Sequence, residues 1–301
     1  MSSLTAWLDP RQWPLALGLG LLWLAARLPL PVAQAFGRGL GLLAWTILPR
    51  RRRVVRRNLE LCFPGMSEAE RCRLERASFA SAGMGLIEGG IAWWGDPERL
   101  AGWVRFEGLE HLEAARSEGQ GVLLLGAHFT ALEMGGRLMA LKVPMNTVYK
   151  AARNERFDAV MRARRSRYFG ELVANDNLRG MLRVLKDGGI CWYGADQDFG
   201  REGSVFAPFF GVPTATLALT SKIAERAGCR VVFIYPERMP QARGYVMHLV
   251  PVPEIPSGDP VRDATVYNAL IERFACQRPA DYFWLHRRFK TRPAGERSPY
   301  V

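Results

Sequence analysis

The stretch that decides the fold is Gly121-Val122-Leu123-Leu124-Leu125-Gly126-Ala127-His128-Phe129-Thr130-Ala131-Leu132-Glu133. Its first residues form a continuous apolar run, which is typical of a buried strand, and the residues after His128 have the apolar spacing of an amphipathic helix. This pattern places His128 and Glu133 at a strand-to-helix turn. Open α/β sheets bind their ligands at such turns, because the strand ends and the helix N-terminus leave a crevice with free backbone donors.

Beyond residue 60 the chain keeps alternating between strand and helix patterns. A helix is predicted from Ser67 to Trp94, opened by a capping box in which Glu70 follows Ser67 by three residues. Strands are predicted at 121–125, 145–150, 189–194, 230–235 and 244–252, and helices at 130–141, 155–169, 178–186, 215–227 and 261–276. This order predicts an α/β fold with a mixed, mostly parallel sheet flanked by helices on both faces.

Composition limits the classes of protein and partner. A chain of 301 residues with 49% hydrophobic content can bury one large α/β core, with or without a small appendage. The net charge of +12 favours an anionic partner such as phospholipid, phosphorylated sugar, nucleic acid or an acidic protein. The five cysteines are scattered and odd in number, and the four histidines form no His-Glu-x-x-His pattern. We therefore expect reduced thiols, a reducing compartment and no metal site.

The first fifty residues are more apolar than the rest. Residues 12–26 carry no charge, Pro29 and Pro31 follow, and a second apolar stretch covers residues 40–48. Neither stretch reaches the length of about 20 apolar residues that a membrane crossing needs. The pattern predicts a short, tilted or re-entrant membrane-associating helix.

A basic segment follows immediately, Arg50-Arg51-Arg52-Arg53-Val54-Val55-Arg56-Arg57. Up to residue 60 the chain has nine arginines against two acidic residues, so this part carries +7 of the net +12. Such a cluster beside an apolar segment favours anionic headgroups of the cytoplasmic leaflet, each charge contributing about 1 kcal/mol. The alternative is a buried helix whose arginines lie in solvent. We assign residues 1–57 to an N-terminal membrane anchor with its basic juxtamembrane segment, and 58–301 to the catalytic domain.

His128 and Glu133 have the chemistry of a proton-transfer pair. Histidine has an ordinary pKa of about 6.5, so it takes and returns a proton near neutral pH, and a nearby carboxylate fixes its tautomer. The chain has no Gly-x-Ser-x-Gly elbow, and no cysteine is close to His128 in sequence. We infer that the substrate supplies the hydroxyl, with His128 as general base, Glu133 as its orienter and backbone N–H groups of the next helix stabilising an oxyanion. The alternative is a capping histidine and a surface glutamate.

Four segments resemble a known family. Residues 126–133 are similar to the His-x4-Asp/Glu box of glycerolipid-type acyltransferases. The other segments resemble motifs of the bacterial lipid A late acyltransferases, which include the lauroyl and myristoyl transferases. They are Thr147-Val148-Tyr149-Lys150 with Asn154 and Phe157-Asp158, residues 193–198 with 203–211 and 214–216, and Trp284-Leu285-His286-Arg287-Arg288-Phe289-Lys290-Thr291-Arg292-Pro293. The resemblance extends from about residue 30 to the end.

The resemblance implies an activity and a location. Members of this family transfer a fatty acyl chain, usually from acyl carrier protein, to the hydroxyl of a hydroxyacyl chain on a lipid A precursor, at the cytoplasmic face of the Gram-negative inner membrane. It implies no covalent acyl-enzyme and no cofactor, the acyl-acyl carrier protein being a co-substrate. The expected partners are this carrier protein, the lipid A precursor and anionic membrane phospholipids.

The resemblance also implies roles for individual residues. His128 and Glu133 correspond to the catalytic pair. The substrate-binding candidates are Lys150, Arg153 and Arg165, which would meet phosphate or sugar acid groups, and Asp196, Gln197 and Asp198, which would lie near the acceptor. The family usually has arginine where this chain has Lys150, and lysine lacks the bidentate fork of arginine.

Simpler interpretations exist for these residues. The arginines of 153–167 fit a solvated helix face, Asp196 and Asp198 fit turn capping, and His286 fits a basic surface patch, so His286 is not counted as catalytic. Two other functions stay open. A nucleic-acid-binding protein would explain the charge but lacks a recognition motif, and an acyltransferase of the same superfamily could act on a lysophospholipid or an aminolipid. The blocks at 196–198 and 284–293 favour lipid A.

Overall fold

The computed structural model describes residues 9–300 of the chain. Its helices are α1 Trp13–Ala25, α2 Leu30–Ile47, α3 Pro49–Cys62, α4 Glu68–Trp94, α5 Pro97–Ala101, α6 Glu110–Ser117, α7 Leu132–Lys142, α8 Glu155–Arg165, α9 Leu178–Lys186, α10 Leu219–Ala227 and α11 Pro260–Gln277. Its strands are β1 Val104–Glu107, β2 Val122–Gly126, β3 Asn146–Tyr149, β4 Leu172–Ala174, β5 Ile190–Gly194, β6 Ser204–Phe209, β7 Val212–Leu217, β8 Arg230–Arg238 and β9 Tyr245–Pro251.

Seven strands form one sheet in the order β1-β9-β8-β2-β5-β3-β4. Strands β8, β2, β5, β3 and β4 are parallel, whereas β9 runs antiparallel to β8 and pairs in parallel with β1. Alternate residues of β2 pack into different cores, Leu123 and Leu125 on one face and Val122 and Leu124 on the other. The predicted mostly parallel sheet flanked by helices is confirmed, and the apolar run exists because both faces of β2 are covered.

Most predicted elements lie where the sequence placed them, and one region was wrong. The long helix α4 begins after Ser67 with the predicted capping box. The expected helix 215–227 exists only from Leu219, because residues 212–217 pair with β6 in a two-stranded antiparallel hairpin. The hairpin turns at Phe210 and Gly211, which have φ of 49° and 74°, and two consecutive positive φ values are typical of a tight hairpin turn.

The N-terminal helices pack on α4. Helices α2 and α4 approach closely at Gly37, Gly41 and Gly83, where an added Cβ on Gly41 would lie 2.1 Å from the Phe79 carbonyl oxygen. Four of the six α3 arginines are engaged. Arg52 and Arg56 bind Glu75 at 3.0 and 3.2 Å, Arg57 binds Glu60 at 3.0 Å, and Arg51 donates to the Leu285 carbonyl at 3.4 Å. These arginines, which the sequence predicts to face membrane headgroups, therefore form contacts within the protein.

Apolar side chains remain exposed on α1 and α2. They are Trp13, Leu17, Leu21, Trp23 and Leu24 on α1, and Val32, Phe36, Leu43 and Ile47 on α2. Across residues 9–300, none of the helices combines the length and the apolar character that a membrane span requires. The membrane-associating role of this segment and the division of the chain at residue 57 stay predictions.

Candidate active site

The topology brings His128 and Asp196 together at the carboxyl edge of the sheet. Strands β2 and β5 are parallel neighbours, and their last residues, Gly126 and Gly194, are directly paired. His128 and Asp196 each follow their glycine by two residues. Because parallel strands end at the same edge, the two side chains meet although 68 positions separate them in sequence.

His128 and Asp196 form a histidine–carboxylate pair in which the carboxylate is buried. His128 Nδ1 lies 2.5 Å from Asp196 Oδ1, and the His128 backbone N–H donates to Asp196 Oδ2 at 2.9 Å. The Tyr282 hydroxyl donates to the same Oδ2 at 3.2 Å. Asp196 is 1% exposed, whereas the His128 side chain is 28% exposed. Within residues 9–300, His128 Nε2 has no hydrogen-bond partner, so this nitrogen is free to accept a proton from a ligand.

The pair shifts both pKa values. Burial favours the neutral imidazole, but the charge and hydrogen bond of Asp196 outweigh it, so the pKa of His128 is raised above its ordinary value. Burial would raise the pKa of Asp196, but His128 outweighs it and the pKa of the carboxyl is lowered. Asp196 is therefore ionised at neutral pH and accepts from Nδ1–H, which leaves Nε2 as the basic nitrogen.

Tyr267 of α11 ties the two strand ends together. Its hydroxyl donates to the Gly126 carbonyl at 2.7 Å and accepts from the Ala195 N–H at 3.1 Å. The glycines at 126 and 194 leave room for the Trp192 ring, since an added Cβ would lie 2.3 and 2.7 Å from ring atoms of Trp192. The Trp192 ring also meets the His128 ring edge-on at 6.2 Å between centroids. These contacts fix the direction in which the imidazole points.

Segment 281–283 and helix α4 also hold the His128 turn in place. The Thr130 N–H donates to the Asp281 carbonyl at 2.7 Å, and the Phe283 N–H donates to the His128 carbonyl at 3.0 Å. Helix α4 approaches so closely at Gly85 that an added Cβ would lie 2.0 Å from the Thr130 carbonyl oxygen. The turn is therefore clamped between α4 and the segment 281–283.

Three backbone N–H groups of this turn are already engaged. The Phe129 N–H donates to the Ala127 carbonyl at 2.8 Å, and the Leu132 N–H donates to the Phe129 carbonyl at 3.0 Å. The Thr130 N–H is occupied by Asp281, as described above. These three backbone groups are not available to a ligand in this conformation.

Glu133 does not orient His128. Its carboxylate accepts from Trp93 Nε1 at 2.6 Å, from Arg165 Nε at 2.9 Å and from the Tyr168 hydroxyl at 3.2 Å, with a further short hydrogen bond from the other Arg165 nitrogen. Burial would raise the pKa of Glu133, but Arg165 and these hydrogen bonds lower it. The predicted contact between Glu133 and His128 is not formed. Glu133 faces α4 and α8, and Asp196 binds His128 Nδ1 instead.

The three basic candidates lie in different environments. Arg165, the last residue of α8, binds Glu133 in a bidentate pair, and its side chain is 20% exposed. Lys150 is exposed at the end of β3, with its Nζ 5.6 Å from the centroid of the Phe199 ring. Arg153 is exposed just before α8. The structure therefore leaves Lys150 and Arg153 accessible to an anionic ligand and commits Arg165 to Glu133.

Neighbouring motif residues hold the backbone. The Tyr149 hydroxyl donates to the Asp158 carboxylate at 2.6 Å, and Asn154 caps α8 by accepting from the Arg156 and Phe157 N–H groups. These contacts fix the segment that carries Lys150 and Arg153.

The Asp196-Gln197-Asp198 block has divided roles. Asp198 accepts from the Thr291 N–H at 2.6 Å and from the Thr291 hydroxyl at 2.8 Å, so it anchors the C-terminal segment. Gln197 is half-buried between the two aspartates. His286 accepts from the Asp198 N–H at 3.0 Å, and burial lowers its pKa to about 4, so its ring is neutral rather than part of a basic patch.

Sequence reasoning missed Asp196 as the partner of His128, although a signal exists. The triplets Gly126-Ala127-His128 and Gly194-Ala195-Asp196 end two apolar strands in the same way. Trp93 and Tyr168, which bind Glu133, come from distant parts of the chain, and no local pattern marks them.

Comparisons with known proteins match this chain to one family over nearly its full length. The sequence profile of the family described as bacterial lipid A biosynthesis acyltransferase matches residues 1–291. The lipid A biosynthesis lauroyltransferase of Escherichia coli (strain K12) is 41% identical over 299 residues, covering 98% of this chain and 97% of the relative. The palmitoleoyltransferase of the same organism is 39% identical over 295 residues (98% and 96%), and its myristoyltransferase is 30% identical over 298 residues (97% and 91%). The chain belongs to the bacterial lipid A biosynthesis acyltransferase family and is an O-acyltransferase.

Proposed function

We propose that this enzyme moves a fatty acyl chain from acyl carrier protein to the hydroxyl of a hydroxyacyl chain on a lipid A precursor. The observation that carries the proposal is the His128–Asp196 pair, in which the buried carboxylate holds Nδ1 and Nε2 is left free. The membership of the chain in its family supports the lipid A acceptor, and the relatives carry names of lauroyl, palmitoleoyl and myristoyl transferases.

In the proposed mechanism His128 is a general base. Nε2 takes the proton of the acceptor hydroxyl as its oxygen attacks the thioester carbonyl. The tetrahedral intermediate then expels the thiolate, which takes the proton back from the imidazolium, so the products are an ester and a free thiol. Asp196 stays ionised throughout and stabilises the imidazolium, the role that a carboxylate has behind a catalytic histidine.

Direct transfer, without a covalent acyl-enzyme, is supported by the surroundings of His128. Within residues 9–300, its ring makes no hydrogen bond to a serine, threonine or tyrosine hydroxyl or to a cysteine thiol. An activated protein nucleophile is normally within hydrogen-bond reach of its base. The acceptor hydroxyl is therefore the nucleophile that His128 activates.

Glu133 and Arg165 have a different role in this proposal. Their bidentate pair fixes the end of α8 against α7 and, through Trp93, against α4. Lys150 and Arg153, which are exposed near the start of α8, are proposed to bind phosphate or sugar acid groups of the acceptor. Gln197 lies beside Asp196 and is proposed to contact the acceptor.

The exposed apolar face of α1 and α2 is proposed to dock on the cytoplasmic leaflet of the inner membrane. Leu17, Leu21 and Leu24 lie on one face of α1 and are 67%, 46% and 54% exposed. Arg50 and Arg53 of α3 are exposed and have no ion-pair partner within residues 9–300, so they are available to anionic phospholipid. This arrangement is typical of helices that lie in a membrane interface.

Mass spectrometry tests the reaction. The purified enzyme, acyl-acyl carrier protein and a lipid A precursor should give a product heavier by one acyl group, and cells lacking the protein should lose that mass from lipid A. An unchanged lipid A profile, with turnover of a lysophospholipid or an aminolipid instead, would move the acceptor to another lipid.

Vesicle flotation tests the membrane face. Leu17→Glu combined with Leu24→Glu should reduce binding to vesicles containing phosphatidylglycerol. Val261→Glu is the matched control, because Val261 is 44% exposed on the distant helix α11. Equal retention of both variants would place the membrane contact on another surface.

A further inference from the structure

A second cleft lies outside the His128–Asp196 site. It has a volume of about 820 Å³ and lies between α2, α4, the β8–β9 turn and the segment 277–281. That volume is within the range of small-molecule sites, roughly 300–1,000 Å³. Neither His128, Glu133 nor Asp196 lines it.

The helical wall of the cleft is mostly apolar. Helix α2 contributes Pro31 and Ala35, and α4 contributes Ala77, Ala80 and Met84. These residues follow helical spacing, so each helix presents one continuous face to the cleft. Close approach of α2 and α4 at Gly37 and Gly83 joins the two helices into one wall. The cleft opens between this wall and residues 238–242 and 277–281.

The floor of the cleft is polar, but its hydrogen bonds are satisfied. Arg238 donates to the Ser81 hydroxyl at 3.0 Å and to the Asp281 carboxylate at 3.0 Å, and it also binds Glu88 at 2.7 Å. One cation faces two carboxylates in this network. The floor therefore repels an anion and offers no unpaired cation to one.

The free cation of the cleft is at its rim. Arg38 is exposed, lines the cleft and has no hydrogen bond or ion pair within residues 9–300. The other rim arginine, Arg278, is held by Glu237 at 3.1 Å. The adjacent face of α2 exposes Val32 and Phe36, which are 51% and 43% exposed, so the rim adjoins the apolar surface of α1 and α2.

We infer that this cleft binds a single-chain anionic amphiphile, the class that includes fatty acids and lysophospholipids. The alkyl chain lies along the alanine-lined wall that α2 and α4 form together, opposite residues 238–242 and 277–281, and the anionic head binds Arg38 at the rim. The α2 wall from Pro31 to Arg38 is about 10 Å long at the rise of an α-helix, which suits an alkyl chain. The inference is independent of the acyl-transfer site.

Three probes separate the contributions of chain and head. Calorimetric titration below the critical micelle concentration should show dodecyl phosphate binding to the full-length protein at a site separate from the acyl-transfer site. Dodecyl maltoside, with the same chain and no charge, should bind more weakly, and inorganic phosphate, without a chain, should not bind at the same concentrations. Phosphate binding as tightly as dodecyl phosphate would overturn the amphiphile assignment.

Two variants locate the site. Arg38→Gln should raise the Kd for dodecyl phosphate about fivefold to tenfold, the effect of one lost charged hydrogen bond, and should leave dodecyl maltoside binding unchanged. Ala77→Trp, which places a large ring in the cleft at an exposed wall position, should abolish binding of both. Arg226→Gln on α10 is the matched control, because it removes the same charge from an exposed arginine that does not line the cleft.

The exposed apolar helix face is the competing location. Leu43→Ser changes this face outside the cleft, and it should leave the Kd unchanged. A Kd raised by Leu43→Ser and unaltered by Ala77→Trp would overturn the inference. His128→Ala should bind dodecyl phosphate like the wild type, so failure of the catalytic proposal and failure of this one are distinguishable.

Discussion

Asp196 and Glu133 are two carboxylates close to the same strand-to-helix turn, and the pKa of each is lowered against the effect of burial. Their partners differ. Asp196 follows β5 and binds the imidazole of His128, whereas Glu133 is in the first turn of α7 and binds the guanidinium of Arg165. The residue five positions from His128 in sequence pairs with an arginine of α8, and the residue 68 positions away binds the imidazole that the proposed mechanism uses as the base.

The comparison shows which spacing matters in a parallel sheet. Neighbouring strands end at one edge, so residues at equal distances beyond paired strand ends meet, whatever their separation along the chain. Helical spacing decides only which residues share a helix face. Substitutions at His128, Asp196, Glu133 and Tyr267 should therefore differ in their effects on the rate, with the largest at His128.

Replacing the base should have the largest effect. His128→Ala removes the proton acceptor and should lower the rate of acyl transfer about 10²- to 10⁴-fold. The measurement is single-turnover transfer from acyl-acyl carrier protein, with the thermal midpoint recorded as a check on folding. Turnover near that of the wild type in a folded variant would remove His128 from the mechanism.

Asp196→Asn should have the next largest effect. The amide carries no charge to stabilise the imidazolium and does not enforce the Nδ1–H tautomer, so the rate should fall about 10²- to 10³-fold. Steady-state kinetics with the lipid acceptor measures the loss. A rate reduced less than in Glu133→Gln would reverse the roles given to the two carboxylates.

Glu133→Gln should lower the rate about tenfold, because the neutral amide no longer pairs in full with the Arg165 guanidinium and the end of α8 loosens. We expect the decrease in kcat/KM to be accompanied by a lower thermal midpoint. Glu171→Gln is a matched control, since Glu171 forms an exposed ion pair with Arg183 away from this cluster. Full retention of activity and stability in Glu133→Gln would show that the Arg165 pair is dispensable.

Tyr267→Phe should have the smallest catalytic effect. It removes the hydroxyl that joins the ends of β2 and β5 and leaves the Ala195 N–H and the Gly126 carbonyl without that partner. Unfolding in urea should show a loss of about 1–3 kcal/mol, with a rate change of less than tenfold. A loss of activity as large as that of Asp196→Asn would give Tyr267 a direct part in the reaction.

The fold was largely predictable because its central strands are covered on both faces. That burial produces the continuous apolar run of β2 and the similar runs of β5 and β8. The hairpin 204–217 escaped prediction because its tight turn contains Phe210, a residue type that rarely adopts positive φ. The sequence therefore predicts a helix that begins at residue 215, although α10 begins at Leu219.

The site was only half predictable. The position of His128 follows from the strand-to-helix turn, which is a local pattern. Its partner depends on the pairing of β2 with β5, and strand order is a property of the whole sheet. The contacts of Trp93 and Tyr168 with Glu133 could not be predicted for the same reason, because tertiary packing brings these residues together from different parts of the chain.

The most direct test of the central claim is the pH dependence of kcat/KM in three proteins: wild type, Asp196→Asn and Glu133→Gln. The base must be unprotonated, so activity should rise with pH through the pKa of His128. In the wild type this midpoint should lie above 6.5, because Asp196 raises the pKa. Asp196→Asn should lower the midpoint, since burial then acts unopposed, and Glu133→Gln should leave it in place. A midpoint that shifts in Glu133→Gln and not in Asp196→Asn would contradict the account.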